Sequence, residues 1–477
     1  MRVHSATSRT DPIRRRFLAA GLGLPAIFRS FGNAAEAGST ATAGGIHHRA
    51  SADAVIQLFM NGGPSHLDLF DPKPELQARD GEPLPGGTKP RVFFGAPGPL
   101  LASPFRFRRV GQSGQWVSEL LPHTARVVDE LTIIRSMTCD SNNHAPALFQ
   151  MNTGRLRTGD PSLGAWAVFG AGAIEADLPG FVVLCDPAGG PIGGAANWGA
   201  GYLPGKYAGK PLRSRGAPIL HLDSRFSDDR RGSMRTILDA IDREHLADHP
   251  GEPELEARIE SRDLAERMRA EAPEAVDLDR ETAATKRLYG LDDPIVAPYG
   301  RRLLIARRLV ERGVRFVQVY SGGGAFEDNW DAHYDLKTNH TRRTRETDQA
   351  VAALILDLRA RGLLERTLVL WGGEFGRMPI SQARIGRDHN PHGFTCWMAG
   401  GGVARARSVG RTDDFGLHAI ERPVHVNDWH ATILHVLGID HLRLTVRHEG
   451  RDKRLTDVAG TVVAEALARP TSLPTDH

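Results

Sequence analysis

The sequence predicts an α/β protein, a three-layer sandwich in which a mainly parallel central sheet is covered by helices on both faces. Three observations carry this reading. Short continuous apolar runs recur, as strands buried on both faces require: Ala54 to Met60, Leu131 to Arg135, Phe181 to Cys185, Val314 to Tyr320, Thr367 to Trp371 and Thr395 to Ala399. Segments of helical periodicity separate them, the alternation expected of a parallel sheet with crossover helices. Histidines and carboxylates gather just after several runs, and active sites of open α/β sheets lie at strand carboxyl ends.

The stretch Thr347 to Arg377 displays the repeating unit. Ala350, Val351, Leu354, Ile355 and Leu358 recur at helical spacing, Gly362 supplies a stop, and a buried strand then leads into the glycine-flanked Glu374. Toward the amino end, the first strand runs into Asn61-Gly62-Gly63-Pro64, a tight turn that lets backbone approach a site, with Ser65 behind it. Asp71 to Gln115 is rich in Pro and Gly and reads as loops with an aromatic hairpin near Phe105 and Phe107. Leu120 to Leu131 reads as helix, and the next helix starts near His144 after the cap-rich Asp140 to Asn143. The glycine-rich stretch after Cys185 reads as a surface loop, because neither a P-loop lysine nor a dinucleotide fingerprint accompanies it. Further helices are expected at Tyr299 to Arg312 and Asp428 to Leu437. The domain division is a signal segment at 1–37, a linker at 38–50, one main domain at 51–445 with a charged helical insertion at about 227–290, and a C-terminal extension at 446–477.

With 477 residues the chain can bury a large core. Lys+Arg 60 nearly balance Asp+Glu 57, for a net charge of +3, which argues against nucleic-acid binding. The start reads Arg14-Arg15-Arg16-Phe17-Leu18, an apolar run to Phe28, then Ala35-Glu36-Ala37, a twin-arginine export signal with its cleavage pattern. That run is too short, and too interrupted by Gly and Pro, to anchor in a membrane. The mature protein is therefore expected in the periplasm or outside the cell, with no transmembrane segment after cleavage. Cys139, Cys185 and Cys396 are too few for a disulfide framework and read as small buried groups, with one disulfide and a spare thiol as the alternative.

The candidate site follows from position. His66 and Asp68 come after the first strand, His144 after the second, Asp328, Asp331 and His333 after the fourth and Glu374 after the fifth, with Asp388, His389 and His392 in the next loop. Imidazoles and carboxylates suit Zn²⁺, Mn²⁺ or, where carboxylates dominate, Ca²⁺. The expected ligands of one or two divalent metals are Asp331, His333, Glu374 and His389, with His66 and Asp68 as further candidates. A serine-nucleophile reading is weaker, since no G-x-S-x-G elbow occurs. His144 at a helix amino end is a candidate to orient substrate, transfer a proton or complete the coordination, its cation being disfavoured by the helix dipole. Arg155 and Arg377 are candidates to hold an anionic group bidentately.

GLLERTLVLWGGEFGR resembles the sulfatase segment that carries a metal-binding Asp, with Glu374 in its place and Phe375 replacing the second ligand. HAPALFQMNTGR, His144 to Arg155, is similar to the sulfatase nucleophile stretch, and PVHVNDWHAT resembles the helix after the last strands. LFMNGGPSHLDLFDPKP, SGGGAFEDNWDAHYD, WGGEFGR and GRDHNPHG, with the twin-arginine start, resemble domain of unknown function 1501, an exported family of the alkaline phosphatase and sulfatase superfamily. The resemblance implies an alkaline-phosphatase-like core, a divalent metal at the strand ends, and an anionic small-molecule or glycan ester, a sulfate or phosphate, as substrate. The departures are Asn61 where the superfamily's first-strand aspartates lie, and His144 where no formylglycine can form. The expected activity is hydrolysis by a route without formylglycine; the alternative is a catalytically inactive member that binds glycans or an envelope partner.

Overall fold

The apolar runs become strands of one sheet. The computed structural model describes residues 45–468 except 87–89, 94, 175–177, 216–226, 250–252, 325–327 and 383–384, so the expected signal segment and the first part of the linker lie outside the described residues. In chain order come β1 (Ala54–Met60), α1 (His66–Leu69), α2 (Pro74–Ala78), β2 (Phe107–Val110), β3 (Gln115–Ser118), β4 (Leu131–Thr138), α3 (His144–Thr153), α4 (Leu163–Ala171), β5 (Phe181–Leu184) and β6 (Lys210–Pro211). After them follow α5 (Asp228–Asp248), α6 (Pro253–Val276), α7 (Ala283–Leu288), α8 (Ala297–Glu311), β7 (Phe316–Ser321), α9 (Leu336–Ala360), β8 (Thr367–Gly372), β9 (Gly376–Gln382), β10 (Gly386–Asn390), β11 (Phe394–Ala399), β12 (Arg407–Val409) and α10 (Val426–Val436).

The sheet order is β12-β4-β11-β8-β1-β7-β5-β6, with Val424–His425 also pairing β4. Every pairing is parallel except those of β11, which is antiparallel to both β4 and β8. Both faces of β1 are buried, and the period of two divides its side chains. Ile56, Leu58 and Met60 pack with Leu303 and Leu304 of α8 and Leu354 and Ile355 of α9. Val55 and Phe59 belong to the other core, with Leu148 of α3, Trp166 of α4 and Trp429 and Ile433 of α10. Three layers result. The shared direction puts the carboxyl ends of β1, β4, β7 and β8 at one edge, and the reversed β11 delivers the β9–β10 hairpin there.

Several elements differ from the sequence reading. Leu120 to Leu131 is two 3₁₀ turns, Thr124–Arg126 and Val128–Glu130, in place of a helix. The cause is tertiary: Asp348 of α9 accepts from the His123 and Thr124 N–H groups at 2.7 and 2.8 Å, fixing the chain just before β4. Asp388 and His389 lie in β10 and not in a loop. The aromatic hairpin of the Pro/Gly-rich excursion is β2–β3, and α5 and α6 are the helices of the charged stretch at 227–290. Val446, Leu455, Val463 and Ala466 of the expected C-terminal extension join the core beneath α3 and α10. All three cysteines are free, Cys139 and Cys396 buried. Among the described residues no helix is long and apolar enough to cross a membrane.

The α3–α10 contact has a pH signature. His430, fully buried, donates from Nε2 to the Met151 carbonyl at 2.9 Å, and burial pushes its pKa down to about 4 from 6.5. The unfolded chain takes up this proton first as pH falls, so stability is complete above about 6.5, falls between there and about 4, and then levels off. The loss is roughly 3 kcal/mol. Urea midpoints across this range are expected to fall less steeply in His430→Gln, which keeps a donor for Met151 without a titrating ring. Identical profiles would contradict this account.

Candidate metal centre

The loops at the shared edge place His144, Asp331, His333 and His389 so that one donor atom from each lies within 4.8 Å of all the others. They come from three topological sources: His144 from the first turn of α3, Asp331 and His333 from the loop after β7, and His389 from β10 of the hairpin. Asn143 caps α3, its side chain accepting from Ala145 N–H at 3.3 Å, which starts the helix with His144 at its first position. The Asp331 side chain has no solvent exposure and is the hub. Its oxygens lie 3.2 Å from His144 Nε2, 3.0 Å from His333 Nε2 and 3.3 Å from His389 Nε2.

The opposite ring nitrogens fix the tautomers. His144 Nδ1 lies 2.7 Å from Glu374 Oε1, and His389 Nδ1 lies 2.7 Å from the Asn142 carbonyl. His333 Nδ1 meets Gln382 Oε1. All three partners are acceptors, so each Nδ1 is placed to donate and each Nε2 is turned toward Asp331, within hydrogen-bond geometry at His389. A lone pair facing a carboxylate oxygen is repulsive unless a cation or a proton lies between. His144 Nε2 and Asp331 Oδ2, both buried, satisfy no hydrogen-bond geometry although they are 3.2 Å apart.

These residues fit a divalent ion. Donors about 2.0–2.2 Å from a tetrahedral ion lie about 3.3–3.6 Å from one another; the four donors here lie within 4.8 Å of one another, with His333 and His389 at 3.0 and 3.3 Å from the same Asp331 oxygen. Three imidazoles to one carboxylate is a donor set for Zn²⁺ or Mn²⁺ and a poor one for Ca²⁺, which takes oxygen ligands.

Charge at the centre follows the same logic. Burial opposes ionisation of Asp331, yet Arg377 at 2.7 Å, then His144, His333 and His389, hold its carboxyl well below the usual carboxylate range. Burial also opposes a charge on His144, but Asp331 and Glu374 outweigh it and raise the pKa to about 9, reversing the expectation that the helix dipole keeps this ring neutral. In the metal-free protein a proton on His144 thus stands in for the cation. His389 is pushed well below its ordinary value, chiefly by burial.

Other candidates take different places. Glu374 stands outside the four-residue group and orients His144, while both of its oxygens accept from Gly62 N–H at 3.0 and 3.2 Å. Gly62 has φ +105°, and a Cβ there would lie 2.6 Å from Asp331 N, so only glycine suits this turn. His66 bonds the Gly416 carbonyl at 2.9 Å, and Asp68 pairs with Arg387 at 2.8 Å; neither joins the cluster. Arg155 pairs with Asp457 and lies 3.8 Å from Asp160. Arg377, fully buried, spends its remaining donors on the carbonyls of Gly63 at 2.8 Å, Arg387 at 3.1 Å and Gly62. Asn61 donates to the Gly323 carbonyl at 2.7 Å and ties β1 to the loop carrying Asp331. Phe375 stacks on His389 with ring centroids 4.4 Å apart, a wall where the resemblance placed a ligand. Sequence reasoning missed Gln382, the Asn142 carbonyl and Phe93, whose ring lies 5.1 Å from that of His389. It also missed Arg342, on the rim of a cavity of about 350 Å³ that reaches Asp331 and His333.

Fold and site together define a mainly parallel α/β sandwich with a buried three-histidine, one-aspartate centre at its strand carboxyl ends. The family model described as "Protein of unknown function (DUF1501)" matches residues 52–467, and the chain belongs to that family. No curated protein matches the chain. Among solved structures, it is similar to the lipoteichoic acid synthase LtaP from Listeria monocytogenes, at 10% identity over 88% of this chain and 77% of that one, TM-score 0.37. It is similar also to a sulfatase from Pseudoalteromonas sp., at 10% identity over 81% and 68%, TM-score 0.33. A phosphonate monoester hydrolase from Silicibacter pomeroyi matches at 11% identity over 67% and 68%, TM-score 0.31. No residue role passes from these structures to this chain.

Proposed function

We propose that the protein is an exported, metal-dependent hydrolase of sulfate or phosphate esters that works without formylglycine, in the periplasm or outside the cell. The observation that carries this reading is that three histidines turn Nε2 toward one buried carboxylate while acceptors hold every Nδ1. Ring nitrogens bonded in this way are characteristic of ligating histidines. His144, Asp331, His333 and His389 hold the ion, with Zn²⁺ or Mn²⁺ favoured by the donor set. A divalent ion bound there supplies polarisation of an ester oxyanion and a water of lowered pKa.

The chain's own residues do the rest. Glu374, Gln382 and the Asn142 carbonyl orient the three rings. Arg377 neutralises Asp331 from a fully buried position; the substrate role falls to Arg342, half-exposed at the rim of the cavity over Asp331 and His333, where it also lies 3.5 Å from Asp328 and 3.2 Å from Glu346. An anionic small-molecule or glycan ester enters there, its charged group toward Arg342 and its ester oxygen toward the histidines. Chromogenic sulfate and phosphate esters, assayed with each metal, test the activity. Arg342→Ala is expected to raise KM at least several-fold with little change in kcat, the mark of lost ground-state binding. Glu374→Gln is expected to weaken metal binding about 10–100-fold, because the His144 ring loses its charged acceptor; unchanged metal affinity would remove Glu374 from the account.

The second reading, a catalytically inactive member that binds a glycan or envelope partner, is favoured by Arg155 and Arg377 both being paired within the protein. Saturable glycan binding with no turnover under any metal would select it.

A further inference from the structure

The insertion helix α5 is amphipathic in the reverse sense. Its polar side faces α6: Arg262 of α6 pairs with Asp239 at 2.7 Å and with Asp242, and Arg235 lies 3.7 Å from Asp263. The other side carries Met234, Ile237, Leu238 and Ile241, at the i, i+3, i+4, i+7 spacing of one helical face, with exposures of 44, 60, 43 and 54%. Four half-exposed large apolar residues in a row form a patch that marks an interaction surface.

Charge on the same face identifies the occupant. Continued toward the amino end, the stripe runs into Arg230 and Arg231; continued toward the carboxyl end, it runs into Glu244 and Asp248. The face therefore reads basic, apolar, acidic. A second copy turned antiparallel about a two-fold axis between Ile237 and Leu238 lays apolar on apolar and sets Arg231 opposite Glu244 of its mate, twice. A parallel mate would set Arg against Arg and Glu against Glu. An anionic membrane fits poorly, since α5 holds four Arg against six Asp and Glu.

We propose that α5 is a homodimerisation surface, paired antiparallel with α5 of a second copy. At about 1.5 Å per residue the 21-residue helix offers a contact roughly 31 Å long, so the interface is small and the dimer exchanges readily.

Sedimentation velocity on the mature chain from about 1 to about 200 µM, spanning the weak end of such interfaces, is expected to show a monomer–dimer equilibrium. Ile237→Glu is expected to leave monomer throughout. Arg231→Glu is expected to weaken the dimer about 2–30-fold through loss of two exposed pairs, and adding Glu244→Arg in the same chain is expected to restore it, which only the antiparallel register allows. A monomer at every concentration would overturn the proposal, as would a dimer indifferent to Ile237→Glu. So would a monomer whose melting temperature falls in Ile237→Glu, which would mean that the chain covers this stripe itself. Flotation with vesicles of mixed anionic and zwitterionic lipid supplies a further outcome, since binding lost in Ile237→Glu would assign the face to a membrane instead.

Discussion

Asp331→Ala is expected to lose bound metal to background and to destabilise the protein by about 3–5 kcal/mol, the cost of leaving a buried charge without its partner. The two effects have separate causes. Metal is lost because Asp331 is the one carboxylate in the group and lies within 3.3 Å of all three Nε2 atoms. Stability is lost because Arg377, with no exposed surface, keeps only backbone carbonyls around its charge. Metal content by mass spectrometry and urea unfolding of the same preparation measure both. A variant that keeps its metal, or unfolds at the wild-type midpoint, would contradict the assignment of Asp331 as hub.

Arg377→Met is expected to be destabilising by a similar amount, now because Asp331 is the buried charge left behind, and because the turn at Gly62 and Gly63 loses two bonds from the guanidinium. The double variant is the sharper test. With both partners gone neither leaves the other as an uncompensated buried charge, and the stability loss is expected to be well below the sum of the single losses, by about 2–3 kcal/mol, while metal binding stays absent. If Arg377 instead held the substrate anion, Arg377→Met would be stable and only KM would rise. Full additivity in the cycle would show that the 2.7 Å pair carries no coupling.

What could be read from the sequence follows burial chemistry. β1, β4, β5, β7, β8 and β11 were legible because strands covered on both faces are apolar runs. The β9–β10 hairpin was not, because its buried residues include Arg377, Ser381, Gln382, Arg387, Asp388, His389 and Asn390, a fully interior ribbon with no hydrophobic pattern. α4 was missed for the opposite reason: eight of its residues are buried around the whole circumference, so no helical period exists. α9 starts at Leu336, some way before its apolar stripe, since its first turns are polar and begin at the Asp335 cap.

The candidate site was legible as a list of residues that follow strands, and His144, Asp331, His333 and His389 are all on that list. Its division of labour was not legible. Whether Glu374 ligates or orients depends on which nitrogen of His144 it meets, and whether Arg377 binds substrate or neutralises Asp331 depends on a strand crossing that no local pattern encodes.

His144, Asp331, His333 and His389 are expected to share one divalent ion. Anomalous diffraction from crystals of the purified protein, collected on both sides of the Zn and Mn absorption edges, tests it directly. A single strong peak is expected about 2.0–2.2 Å from the three Nε2 atoms and an Asp331 oxygen, with Glu374 bonded to His144 and not to the ion. A peak coordinated by His66 and Asp68, or by Glu374 in place of His144, or no peak from crystals grown with either metal, would contradict it.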